Sequence, residues 1–228
     1  MRITYLHHSG FLVELEACCL IFDYFETGLT RLPDKPVLVF ASHAHHDHYD
    51  PDVFRIAAGH EITAVLSKDI PKRRWPRGIE VLPVAAHQDY ALPYGISLTT
   101  LQSTDAGVAF CLHAPEGCIY HAGDLNEWVW AGESERYNKQ MIGNYRHEID
   151  LLKGRPIDCA FVPLDPRQED DYARGLKYVL KTLAPRHVFP MHYWRKPEII
   201  DRFLREYPQY KNYVNYTERY KEDSPYEI

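Results

Sequence analysis

Hydrophobic positions in the first two-thirds of the chain fall into short runs that either alternate with polar residues or continue unbroken. The runs are ITYL (3–6), FLVELE (11–16), CLIFDYF (19–25), VLVFAS (37–42), TAVLS (63–67), IEVLPV (79–84), ISLTTLQS (96–103), VAFCLHA (108–114) and CIYHAG (118–123). Bounded by turn residues, they read as strands. Pro115, Glu116 and Gly117 between the last two give a hairpin. Asp50 followed by Pro51 is a helix-start signature, so a helix is expected from Pro51 to about Gly59. Further helices are expected over 133–152, 170–183 and from Pro197 to Tyr207, with a strand HVFPM (187–191) between the last two. Strands first and alternating strands and helices afterwards predict an α/β sandwich, in which sheets are covered by helices. One domain spanning 1–228 is expected; the tyrosine-rich segment 207–228 lacks periodicity, and whether it packs back or mediates association stays open.

Bulk properties narrow the function classes. The chain has 228 residues, 45% hydrophobic and 25% charged, which is globular usage with enough length to bury a large core. A net charge of −6 provides no basic face for tracking a phosphate backbone, so a small-molecule substrate is expected, not a nucleic acid. The start carries His7, His8 and acidic residues where a signal peptide needs a basic head and an apolar stretch, and no run is long enough to span a bilayer. Five cysteines (Cys18, Cys19, Cys111, Cys118, Cys159) are read as buried, reduced thiols rather than metal ligands. A cytoplasmic protein without membrane attachment is the expectation; the oligomeric state is left open.

The stretch HAHHDH (43–48) places four of the thirteen histidines and Asp47 in six positions, directly after an apolar strand. On extended backbone His43 and His45 point to one side and can share a cation, while Asp47 and His48, past a change of chain direction, can address a second point nearby. Imidazole with carboxylate suits zinc, iron, manganese or nickel. Further donors recur at the C-terminal ends of apolar runs: Asp105, Asp124 and His192. Gly107 and Gly123 beside the two aspartates fit a crowded backbone turning beneath a metal, although ordinary turns use glycine as well.

HAHHDH fits the H-x-H-x-D-H signature of the metallo-β-lactamase superfamily, HAGD (121–124) and PMHY (190–193) resemble its later metal-binding segments, and YLHHSGFLVE (5–14) resembles its first hairpin. The resemblance implies a four-layer αββα sandwich with two divalent metal ions, zinc, manganese or iron, and hydrolysis by a metal-activated hydroxide. It is nearest to the compact, sugar-phosphate lactonase-like branch. Carried over by position, it implies His43 and His45 at the first metal, Asp47 and His48 at the second, Asp124 bridging, and His192 completing the second site. Where the family commonly places a third histidine for the first metal, this chain has Ser103, Thr104 and Asp105. Asp105 is the best substitute, and a carboxylate there shifts preference toward manganese or iron.

Asp47 is the expected catalytic group that orients the nucleophile and accepts its proton. His121 is the second catalytic candidate, placed to orient Asp124 or donate to substrate, with a packed strand histidine as the alternative. His46, between ligands, should face away. Trp128 and Trp130 either wall a pocket or pack, and Arg167 and Arg195 either clamp an anionic substrate group or form salt bridges. The expected function is hydrolysis of a small ester, lactone or phosphoester. The alternatives are a di-iron redox protein and a non-catalytic metal-binding or ligand-sensing protein on the same scaffold.

Overall fold

The computed structural model describes residues 1–26, 29 and 31–228. Its first sheet is built from β1 (Arg2–His7), β2 (Gly10–Glu14), β3 (Cys19–Phe22), β4 (Val37–Ala41), β5 (Ile62–Ser67) and β6 (Glu80–Val84), joined at one edge by β13 (Tyr226–Glu227). The order is β13-β1-β2-β3-β4-β5-β6, antiparallel at the β1–β2–β3 end and parallel from β3 to β6. The second sheet comprises β7 (Asp89–Ala91), β8 (Ser97–Gln102), β9 (Val108–Ala114), β10 (Gly117–His121), β11 (Cys159–Pro163) and β12 (His187–Met191). Its order is β12-β11-β10-β9-β8-β7, with β10, β11 and β12 parallel.

Alternation along the strands divides the interior in two. Leu20, Phe22, Leu38, Phe40 and Val65 join the large core shared with the second sheet, whereas Cys19, Ile21, Val37, Val39 and Ala64 pack with Val53 and Phe54 of the short helix α1 (Asp52–Ile56). On the second sheet's side the shared core continues into α2 (Glu135–Asp150), α3 (Arg174–Thr182) and α4 (Glu198–Glu206) through Tyr145, Ile149, Leu176, Val179, Ile200 and Phe203. The result is the αββα sandwich. At about 25 cal/mol per Å² of apolar surface, the burial of these aromatic and branched side chains is the main stabilising term.

Side-chain oxygens meet free backbone N–H groups at the starts of α1 and α2. Asp50 Oδ1 accepts from Asp52 N at 2.9 Å ahead of α1, and Ser134 Oγ accepts from Tyr137 N at 3.2 Å ahead of α2. The C-terminal segment packs back: β13 pairs antiparallel with β1 in the register Arg2 with Glu227 and Ile3 with Tyr226, and Thr217 is fully buried. All five cysteines are free and buried, as core packing requires. No helix among the described residues is long and apolar enough to cross a membrane.

For function, the decisive feature is strand direction. β3 and β4 are parallel, and so are β10, β11 and β12, so each group delivers its C-terminal ends to one edge of the sandwich. Asp23, the 43–48 stretch, Asp124, Asp165 and His192 all follow those ends.

Candidate metal centre

After β4 the chain curls through bends and a turn over residues 43–48, so His43 and His45 are not on extended backbone as expected. Their rings meet all the same, with His43 Nε2 and His45 Nδ1 2.9 Å apart. Two glycines make this approach sterically feasible. A Cβ on Gly107 (φ +67°) would sit 1.9 Å from the Ser42 carbonyl oxygen, and one on Gly123 (φ +51°) would sit 2.7 Å from Ser42 Cβ.

Asp124 lies at the centre. Its Oδ1 is 3.2 Å from His48 Nε2 and 3.3 Å from His192 Nε2, while its Oδ2 is 3.4 Å from His43 Nε2. The donors separate into groups whose atoms lie within 4.8 Å of one another: His8, Asp47, His48 and His192; His43, His48 and Asp124; and His45, Asp105 and Asp124. All seven metal-site residues expected from the sequence therefore stand at one edge. His45 and Asp105 form its exposed rim, with Nδ1 and Oδ2 3.8 Å apart; His43, Asp47, His48, Asp124 and His192 are buried.

The ring nitrogens facing the centre are the ones left for a cation, because the opposite ring nitrogens are engaged. Asp23, fully buried, accepts from Ser42 N (2.7 Å) and Ser42 Oγ (2.6 Å) and from His48 Nδ1 (2.7 Å). With its proton given to Asp23, Ser42 Oγ accepts from His43 Nδ1 at 2.9 Å. His192 Nδ1 donates to Asp165 Oδ2 at 3.0 Å. These partners assign the neutral tautomer in which Nε2 of His43 and His192 carries the lone pair, and the one His48 adopts once it gives up the Nε2 proton it shares with Asp124.

Buried polar atoms need partners, yet His8 Nε2, His48 Nε2 and Asp124 Oδ1 have no hydrogen-bond partner. Divalent cations would give these converging atoms the partners they lack.

Electrostatics agree. Burial pulls His43 down to about 4, with His48 adding to the effect, so its imidazole is neutral at pH 7 and able to ligate. Burial opposes protonation of His48, but Asp124 and Asp23 outweigh it and hold its pKa well above the usual histidine value. Burial likewise opposes ionisation of Asp124, which His48 and His192 nonetheless hold well below the carboxylate range. Burial also opposes ionisation of Asp165, where hydrogen bonds from His192 and Arg167 prevail and bring it down to about 2.

The centre floors a cleft of about 430 Å³ whose opposite wall carries Trp128, Trp130, Trp194, Tyr137, Met141 and Arg167. Trp128 and Trp130 stack in parallel at 5.8 Å, and Trp128 Nε1 donates to the Asp124 carbonyl at 2.9 Å. Arg167 does not reach out as an anion clamp: its Nε and Nη2 bond to Asp165, and its guanidinium lies 4.6 Å from the Trp194 ring. Arg195 is exposed and paired with Glu26 at 3.3 Å. His46 faces solvent at the cleft mouth.

His121 corrects the expectation that it could donate to substrate. It is fully buried, stacked on Phe22 at 5.0 Å, and absent from the cleft lining. Its Nε2 donates to the Ser9 carbonyl (2.9 Å) and its Nδ1 accepts from Gly123 N (3.1 Å), so neither nitrogen is available to substrate. It is the packed strand histidine. Conversely, sequence reasoning missed Asp23, Asp165 and His8. The first two stand at strand ends, the same address that pointed to Asp105, Asp124 and His192; His8 lies in the first hairpin turn, where only its doubled histidine marked it.

Residues 2–135 match a family model described as a beta-lactamase superfamily domain. A UPF0173 metal-dependent hydrolase of Opitutus terrae is 30% identical over 213 residues, covering 87% of each chain. Another, from Desulforamulus reducens, is 28% identical over 214 residues, covering 85% of this chain and 84% of that protein. Among solved structures, Igni18, a metallo hydrolase from the hyperthermophilic archaeon Ignicoccus hospitalis, superposes with a TM-score of 0.69 at 19% identity over 94% of this chain and 93% of that one. CmlA, a diiron beta-hydroxylase from Streptomyces venezuelae, superposes with a TM-score of 0.63 at 11% identity over 93% of this chain and 52% of that one. The strand-end cluster of histidines and aspartates, the αββα layers and these relatives agree: the chain belongs to the metallo-β-lactamase superfamily.

Proposed function

We propose that the protein is a metal-dependent hydrolase of a small carboxylic ester or lactone bearing a planar group of low charge. The observation that carries this reading is the Asp124 carboxylate, whose two oxygens face different sets of imidazole lone pairs at the floor of an aromatic cleft. Such a carboxylate suits a bridge between two cations. His43, His45, Asp105 and Asp124 would hold one ion, and Asp47, His48, His192 and Asp124 the other. Bound there, divalent cations supply Lewis acidity and bring the pKa of water toward neutrality.

The chain's own residues do the rest. Asp47 lines the cleft, and its Oδ2 is committed to the side of His8 (3.3 Å) and His48 (3.9 Å), which leaves Oδ1 to accept a hydrogen bond from the attacking water and fix its direction. The stacked Trp128 and Trp130 present a flat apolar face that displaces solvent and orients a planar substrate group over the reacting oxygen. Arg167 is the only lysine or arginine among the described lining residues, and Asp165 compensates its charge. This favours an uncharged ester or lactone over a phosphoester and over the anionic substrate considered from the sequence.

The test is reconstitution of metal-free protein with Zn²⁺ or Mn²⁺, elemental analysis, and a panel of aryl ester, lactone and phosphodiester substrates. Two ions per chain and chelator-sensitive turnover of an ester or lactone are expected, with turnover abolished in Asp124→Ala. Full activity in metal-replete Asp124→Ala would refute the two-metal reading.

One observation favours a second reading. The carboxylate of Asp105 in place of an imidazole hardens the His43 and His45 half toward iron or manganese. An iron-rich, coloured preparation that consumes oxygen in the presence of a reductant, and hydrolyses nothing, would establish di-iron redox chemistry instead.

A further inference from the structure

We infer that His8, from the turn between the first two strands, is itself a ligand of the cation held by Asp47, His48 and His192, closing that half of the centre while the His43, His45 and Asp105 half stays more open. The inference rests on the two-metal reading above and adds to it a donor from a separate part of the chain.

The local backbone gives the first argument. His8 occupies the turn between β1 and β2 with φ +54°, a left-handed conformation that glycine adopts freely and histidine only at a cost. A turn of this kind needs no imidazole. Strained residues persist where surrounding contacts over-determine them, and here they do. The His8 carbonyl accepts from His192 N (3.1 Å) and the neighbouring Ser9 carbonyl accepts from His121 Nε2 (2.9 Å), so the turn of the first sheet is bolted to strand ends of the second.

Ring placement gives the second. The His8 ring packs against His192 with centroids 4.3 Å apart, against Trp194 at 4.7 Å and edge-on to His48 at 5.7 Å. Its Nε2 is fully buried, lies 3.3 Å from Asp47 Oδ2, and completes no hydrogen bond. One donor atom from each of His8, Asp47, His48 and His192 falls within a 4.8 Å cluster, and all four residues are buried. His7, by contrast, is half-buried and stacks on Phe25 at 5.8 Å.

Three roles are open to such a nitrogen. It is not an acid or base toward substrate, because His8 is absent from the cleft lining that Asp47 and His192 contribute to. A role as hydrogen-bond donor to Asp47 across a long 3.3 Å separation would still leave His48 Nε2 and Asp124 Oδ1 without partners. Ligation leaves none of the four donors orphaned. Counting Asp124, five protein donors would then surround this cation, against four for its neighbour. Metal sites saturated by protein hold their ion, whereas those with an open position exchange water and substrate, so the less saturated half is where substrate oxygen would enter.

The experiment titrates metal-free wild type, His8→Ala and His8→Gln with Zn²⁺ against a competing chelator and records the visible spectrum of the Co²⁺ forms. Wild type should take up two ions. His8→Ala should lose at least about 100-fold in affinity for one ion only, beyond the 10–100-fold typical of residues outside the ligand shell, with a changed Co²⁺ band. His8→Gln, which keeps a donor near Asp47, should behave like His8→Ala; wild-type affinity in His8→Gln would show that His8 merely supports Asp47, and would overturn the inference. So would wild-type affinity and spectrum in His8→Ala. X-ray absorption of Zn²⁺-loaded wild type, which needs no variant to fold, should count five imidazoles over two ions, and a count of four overturns the assignment. Wild type that takes up fewer than two ions would instead sink the two-metal reading on which it rests.

Discussion

Asp23 touches no substrate and by this geometry would touch no metal, yet replacing it should impair metal binding as much as removing a ligand's anchor does. Its carboxylate accepts from Ser42 N, Ser42 Oγ and His48 Nδ1 at 2.6–2.7 Å, with no exposure to solvent. Burial alone would favour its neutral form, but the charge and hydrogen bond of His48 keep its pKa below the usual carboxylate range. In Asp23→Asn the shape is kept. The amide oxygen still serves Ser42 N, while the NH₂ group replaces the acceptor that His48 Nδ1–H requires. His48 must then move its proton to Nε2, which consumes the lone pair aimed at Asp124, or leave a buried donor unpaired at about 1–3 kcal/mol. Loss of such an orienting carboxylate lowers metal affinity about 10–100-fold, or about 1.4–2.8 kcal/mol. Asp23→Ala leaves Ser42 N–H, Ser42 Oγ–H and His48 Nδ1–H without their acceptor, so it should lose at least about 3 kcal/mol of metal-free stability. Denaturant unfolding of the metal-free proteins measures the stability part and chelator competition measures the affinity part. An Asp23→Asn protein that is destabilised but binds both ions with wild-type affinity would refute the reasoning, because Asp23 would then support the fold and not the tautomer.

Three further outcomes follow from the same geometry. His121→Phe keeps the ring stack on Phe22 but strands the Ser9 carbonyl and Gly123 N–H, so stability should fall by about 2–5 kcal/mol while kcat per folded molecule is unchanged; a 100-fold loss of kcat with metal content intact would return His121 to the catalytic role. Burial pushes the Cys18 thiol up to about 11 and the Cys19 thiol up to about 12. The unfolded chain ionises first, so above pH 9 each thiol subtracts about 1.4 kcal/mol of stability per pH unit, a loss that Cys18→Ala with Cys19→Ala should remove from the pH dependence of urea midpoints. His48, protonated between Asp124 and Asp23 without a cation, has to lose that proton to ligate. Zn²⁺ uptake near pH 7 should therefore release protons into a weakly buffered solution, and uptake with no release would contradict the assigned protonation.

Much of this was legible in the sequence because two signals are strong: short apolar runs of alternating or unbroken character, and chemistry-bearing residues placed just past them. Asp105, Asp124 and His192 were found by that address. Asp165 escaped because β11, Cys159–Pro163, was not read as a strand, and Asp23 because it sits inside an apolar run, CLIFDYF, that was read as one strand through residue 25, whereas β3 ends at Phe22. Neither has a spacing signature, since a carboxylate that holds another residue's far nitrogen is constrained in space and not along the chain. β7 and β13, three and two residues long with exposed positions, carry too little hydrophobic pattern to register. The packing of 207–228 depended on tertiary partners such as Pro190, whose carbonyl accepts from Thr217 Oγ1 at 2.7 Å. Around His43 and His45 the geometry differed from the expectation: rings expected to align on a strand meet because the chain curls.

Backbone strain is concentrated where the ligands gather. Five of the ten non-glycine residues with positive φ among the described residues are His8, Asp23, His192, Trp194 and Arg195, all at the rim of the sandwich. Each lies just past a strand end, at a cost of about 1–2 kcal/mol apiece. The core beneath is apolar, with Phe11, Phe22, Phe40, Phe110 and Phe161 fully buried. Stability and function are thus drawn from different layers: the sheets supply the burial energy, and the rim uses part of it to hold the buried histidines and aspartates that would take the proposed cations. This division explains why the ligands come from remote segments of both sheets. A rim confined to one hairpin could not be held in strain by two rigid edges at once.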